Sequence, residues 1–262
     1  MTADIAKSLH SAALFGAVVR PLLVLTLLFG LWDGLRRAGR NKTGSFIPWS
    51  LTAVIIIAWL STVWTLSVRG VIASISGSGA YGAVVRIVLP IILLAVGAIT
   101  LMTRSRTVIA VLDAIPLWWL VSFQAYRITG LLFVRLWAKG FLPGYFALPA
   151  GIGDTLTGVL AIVASIALWR EVNWARRLAY AVNIFGLLDL VIALSMGILT
   201  SANSTTGSSP LSLYPLSMVP TFGVPLAMII HSLSIWQLNR RSDGPAREGR
   251  AHQDHRLGQA SA

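Results

Sequence analysis

The sequence predicts an all-α fold: a polytopic membrane bundle of seven transmembrane helices, with the N-terminus outside and the C-terminus cytoplasmic. Composition is the first reason. A mean hydropathy of +0.76 with only 11% charged residues lies far from soluble globular domains. Segment length is the second. The apolar residues gather in runs of about 20, long enough to cross a hydrocarbon layer of about 30 Å. The third reason is the basic residues, which are heavy in alternate loops.

The predicted segments are 12–35, 47–68, 84–102, 109–137, 149–169, 178–200 and 212–238. The first ends in Arg36, Arg37, Arg40 and Lys42, a stop-transfer flank, and no small-residue cleavage site follows it. It is expected to stay in the mature chain. The third runs into Arg104 and Arg106, and the fifth into Arg170, Arg176 and Arg177. The seventh is crowded by Pro210, Pro215, Pro220 and Pro225, so regular helix is expected only from about Thr221. The opposite loops hold fewer cations (Lys7, Arg69, Arg86, Arg135 and Lys139), several at segment edges. An odd number of spans fits this bias. Residues 1–11 are expected to form a short external N-terminus, 12–238 the membrane domain, and 239–262 a disordered basic cytoplasmic tail.

The net charge of +12 sits in juxtamembrane loops. Anionic headgroups at the cytoplasmic face account for it, and no nucleic-acid partner is implied. The absence of cysteine excludes disulfides, thiolate metal sites and iron–sulfur clusters. Eighteen arginines against three lysines, with abundant Ala and Gly, suggest a GC-rich bacterial source and thus a plasma-membrane (inner-membrane) location.

Function must lie in the polar residues left inside the segments, because a charge at membrane depth costs at least about 2.5–3.5 kcal/mol on insertion scales. Asp113, Gln124, Arg127 and Arg135 fall within a stripe about 80° wide if the fourth segment is one regular helix. In the fifth segment Gly151, Asp154, Gly158, Ala161 and Ser165 form a stripe of small residues around one acid. Close packing needs the small residues but not the acid. Arg127 and Asp154, on consecutive antiparallel helices, are the expected ion pair. Asp189 lies midway along the sixth segment, with Arg20 as one candidate partner. Arg20 could instead snorkel to the outer interface.

His231 is the one histidine inside a segment, and it cannot supply bis-histidine haem ligation. No metal and no cofactor is expected. Asp113, Asn183 and His231 are expected at similar depth in the inner half. With Asp189, Asp154 and Arg127 they could form a polar line across the bilayer, as a proton or small solute would need. The same residues could equally serve as structural pairs orienting helices. A retinal Schiff base is excluded, since Lys7, Lys42 and Lys139 all lie outside the seventh segment.

Gly151-Ile152-Gly153-Asp154 resembles the GxGD motif of intramembrane aspartyl proteases. That resemblance implies Asp154 and Asp189 as an acid pair, one activating water and the other protonating the leaving group. The order departs from the family pattern: the second acid should precede GxGD in a Tyr-Asp pair, whereas Asp189 follows it behind Leu188. The Pro-Ala-Leu motif of that family has only Pro225-Leu226-Ala227 to match it. Residues 124–170 and 180–195 also resemble uncharacterised bacterial multi-pass membrane proteins, which implies a location and no activity. The expected role is therefore transport or sensing of a small solute or proton. Intramembrane proteolysis and a structural, partner-binding role are the alternatives.

Overall fold

A computed structural model describes residues 3–39, 42–76, 81–82, 84–203 and 210–240. The predicted tail therefore lies, from residue 241 onward, outside the described residues. Among those residues every regular element is helical. The main helices are α1 (Ala3–Arg37), α2 (Lys42–Val68), α3 (Val71–Ser76), α4 (Leu89–Arg104, entered through a π-helical turn at Val84–Val88), α5 (Arg106–Ala114), α6 (Leu117–Ala138), α7 (Gly144–Trp169), α8 (Ala175–Ala202) and α9 (Val219–Arg240).

Six helices are long and apolar enough to cross a membrane: α1, α2 over Phe46–Val68, α6, α7, α8 and α9. A seventh crossing depends on α4, which meets the following helix at 86°. Large apolar side chains such as Leu14, Val18, Leu25, Phe29, Val54 and Ile55 point outward. A soluble monomer would not leave so continuous an apolar surface in water, whereas lipid accepts it. Residues 3–11 belong to α1 and join the bundle, with Ile5 and Leu9 packed near Phe133, Leu136 and Leu142.

The predicted fourth segment is not one helix. Pro116 has no amide hydrogen to donate and pushes Ile115 to extended backbone, at φ −74° and ψ 129°. The chain turns there, so Asp113 ends α5 while Gln124, Arg127 and Arg135 ride on α6. The predicted four-residue stripe is therefore broken. Within α6, Phe123–Gly130 winds as a 3-10 helix. Its period of three aligns Gln124, Arg127 and Gly130 on one buried line.

That tight stretch lies against α7, the central helix, which also packs along α8. The approach is close because α7 offers small residues. A Cβ at Gly158 would come 2.6 Å from the Ile128 amide nitrogen, and one at Gly151 would come 3.0 Å from the Gly130 carbonyl oxygen. The predicted stripe thus has a packing account independent of its acid. α9 enters through a 3-10 turn at Pro210–Ser212 and a π-helical turn at Val219–Gly223, where prolines interrupt the backbone ladder. Phe222 in that turn meets Trp59 of α2 at 4.8 Å between ring centres.

Contacts sort the helix ends. Gly34 near the end of α1 faces Val111 and Ile115, Gln237 of α9 donates to the Leu112 and Ile115 carbonyls at 2.6 and 2.7 Å, and Arg176 donates to Leu238 O at 2.8 Å. Hence α5, the α7–α8 turn and the ends of α1 and α9 share one end of the bundle. At the other end Lys139 donates to Ser8 Oγ at 2.6 Å, joining the start of α1 to the end of α6.

Candidate functional site

The buried line on α6 places Arg127 at the meeting point of α6, α7, α8 and α9. Arg127 Nε donates to Asp154 Oδ1 at 2.7 Å, and Nη2 lies 2.6 Å from the same oxygen. Nη2 also donates to Asp189 Oδ2. Nη1 donates to the Gly186 carbonyl at 3.1 Å and meets His231 Nε2 at 3.0 Å. A guanidinium has five N–H groups, and these contacts occupy all of them.

The histidine tautomer follows. Arginine has only donors to offer, so His231 Nε2 must present a lone pair. The ring proton is then on Nδ1 and is donated to Asn183 Oδ1 at 2.9 Å. Asn183 Nδ2 donates onward to Ala179 O at 2.7 Å. His231 is thus a neutral acceptor for Arg127, and it could take a second proton only by releasing that contact.

Glycines make room for the network. A Cβ on Gly153 would overlap the Asp189 carboxylate, one on Gly186 would overlap the His231 ring, and one on Gly130 would overlap the Asp154 Cβ. In Gly151-Ile152-Gly153-Asp154, then, one glycine admits α6 and the other admits Asp189.

The formal charge of the network is uneven. Two carboxylates face one guanidinium beside a neutral imidazole, which leaves one negative charge in a buried position. One proton on either carboxyl, or one bound cation, makes the cluster neutral. The acids differ in access: the Asp154 side chain is 18% exposed, Asp189 7% and Arg127 1%. Both Asp154 and Arg127 line a cavity of about 740 Å³ between α1, α6, α7, α8 and the start of α9. Its lining runs from Ser8, Ser201 and Ser212, at the end that holds the start of α1, down to Arg127 at mid-bundle.

The other sequence candidates go elsewhere. Arg20 does not meet Asp189, whose cation is Arg127. The Arg20 guanidinium folds back over Gly16 and Nη2 donates to Pro215 O at 3.3 Å. Asp113 does not share the depth of Asn183 and His231. It pairs with Arg240 at 3.1 Å, with both side chains well exposed at the bundle end. Gln124 Nε2 donates to Ala227 O at 3.2 Å, outside the ion network. Arg135 is exposed and lines the cavity. Two polar residues escaped the sequence reading. Tyr126 donates to Gly223 O at 3.1 Å, and Gln237 bridges α9 to α5. Each reads in sequence as an ordinary wall residue, since only the partner carbonyl gives it a task.

Residues 82–239 match the domain of unknown function DUF8737. The chain belongs to this family. No curated protein and no solved structure matches it. The DUF8737 region contains Arg127 and all its partners, whereas Arg20 on α1 lies before it.

Proposed function

We propose that this protein binds and releases one proton at the Asp154–Arg127–Asp189 cluster, in step with a small solute in the adjoining cavity, and so transports or senses that solute across the plasma membrane. The observation that carries the reading is the double position of Asp154: it belongs to a cluster one charge short of neutral and also lines the cavity. An uncompensated charge at that depth is costly, which favours a bound proton whenever the site is closed from water. In this reading α4 is a crossing and α5 lies along the interface. The seven spans then carry their arginine-rich loops to the cytoplasm and the start of α1 outside.

The acid-pair protease reading is weaker. An aspartyl dyad holds its two carboxyls around one water, but here a guanidinium stands between Asp154 and Asp189.

Infrared spectroscopy of the purified protein in nanodiscs tests the proposal. One protonated buried carboxyl should appear and disappear between about pH 4 and 9. Asp154→Asn and Asp189→Asn should each abolish that band, because either variant leaves one carboxylate with one guanidinium. In proteoliposomes the same variants should stop proton movement under an imposed potential or solute gradient. A parent with no titrating buried carboxyl would overturn the proposal.

A further inference from the structure

Arg20 supplies a second feature of the cavity. Its guanidinium lies over Gly16, where any larger side chain would displace it. Nη2 has a long bond to Pro215 O, the guanidinium also meets the Tyr214 side chain, and Nη1 is buried without a partner. Arg127 on the same wall has no donor left to give. Among the described residues no carboxylate is bridged to Arg20, and this cation lines a cavity otherwise walled by residues such as Phe15, Leu23, Phe133, Leu194 and Phe222. We infer that the cavity binds a single-chain carboxylate amphiphile, with its head on the Arg20 guanidinium and its chain along that apolar wall.

Charge and volume both select this class. One guanidinium is neutralised by one negative charge, so a monoanion satisfies it while a dianion leaves a charge over. A cavity of about 740 Å³ holds about 25 volumes of the ~30 Å³ that a water molecule occupies in the liquid. A chain of about 12–16 carbons with its carboxylate fits that space, whereas a two-chain phospholipid of about 50 heavy atoms does not. Arg135 on the lining and Lys139 beside Ser8 place positive charge where such an anion would enter.

The inference shares the cavity of the proposed function but does not depend on its proton step. The probes are dodecanoate, dodecyl phosphate and uncharged dodecanol. Binding is measured to the full chain in phosphatidylcholine nanodiscs and corrected for partition into empty ones. Dodecanoate should bind at least about tenfold more tightly than dodecanol and more tightly than the phosphate. Arg20→Gln should remove that preference while leaving dodecanol binding and thermal stability unchanged, and Arg20→Lys should restore part of it. Gly16→Leu, which fills the space beneath the guanidinium, should abolish dodecanoate binding and serves as the test if Arg20→Gln fails to fold. Asp154→Asn should lose proton exchange yet keep dodecanoate binding, so failure of the proton reading is separable. Equal binding of acid and alcohol by the parent, or an undiminished preference in Arg20→Gln, would overturn the inference. Displacement of dodecanoate by phosphatidylglycerol added to the nanodisc would do so too, because the occupant would then be bilayer lipid.

Discussion

A guanidinium buried in a bundle must spend every donor, and Arg127, on α6, does so on three other helices. Removing it strands two carboxylates, whereas removing one carboxylate's charge leaves a balanced pair. We therefore expect Arg127→Ala to cost about 3–5 kcal/mol of stability and Asp154→Asn much less. Thermal unfolding in detergent, followed by tryptophan fluorescence, checks the order. Adding Asp154→Asn and Asp189→Asn to Arg127→Ala should recover part of the loss, because the stranded charges go with the cation. Fully additive losses would mean that these groups are not coupled. The charged members of this network were legible in the sequence because an ionisable residue inside an apolar run has no cheap explanation. Their pairing was only half legible. Helix order suggests Arg127 with Asp154, but nothing in the sequence says that Gly153 leaves space for Asp189 to reach the same cation. Spacing alone names no partner for Asp189 for that reason, and Arg20, one candidate, lies over Gly16 and against Pro215 instead.

At the scale of elements, the break at Pro116 decides how α5 and α6 are used. The last carbonyls of α5 lose their helical donors where the chain turns. Gln237, from a helix more than a hundred residues later, supplies one amide group to both Leu112 O and Ile115 O. Gln237→Leu should cost about 1–3 kcal/mol, the penalty for leaving buried carbonyls unpaired. It should also speed amide exchange in α5 more than in α7. Unchanged exchange and stability would show that water or another donor serves those carbonyls. The apolar pattern located the long helices well, since lipid-facing residues must be apolar whatever their neighbours. It concealed this break, because residues on both sides of Pro116 are equally apolar. It also hid the 3-10 stretch, which changes the angular step per residue without changing composition. The common stripe expected for Asp113, Gln124, Arg127 and Arg135 is lost on both counts.

At the scale of the molecule, topology follows from which helix ends meet. Gly34 near the end of α1 faces Val111 and Ile115 around α5. In the proposed topology the chain passes from the end of α1 through α2 to the opposite end, and α4 would return it so that α5 reaches Gly34. Counting α4 as a crossing gives seven, and an odd number puts the two termini on opposite sides. Arg36, Arg37, Arg176 and Arg240 then share the end that the basic-residue rule assigns to the cytoplasm. Reporter fusions after Gly44, Gly140 and Arg240 test this directly. The expectation is cytoplasmic activity at Gly44 and Arg240 and external activity at Gly140. If α4 did not cross, Gly44 would stay cytoplasmic while both later positions reversed. External activity at Arg240 together with cytoplasmic activity at Gly140 would therefore reject the seven-span arrangement. It would also place the cavity mouth beside Ser8 and the end at Arg240 on one side of the membrane, removing the outward route by which a solute is proposed to reach Arg20 and Asp154.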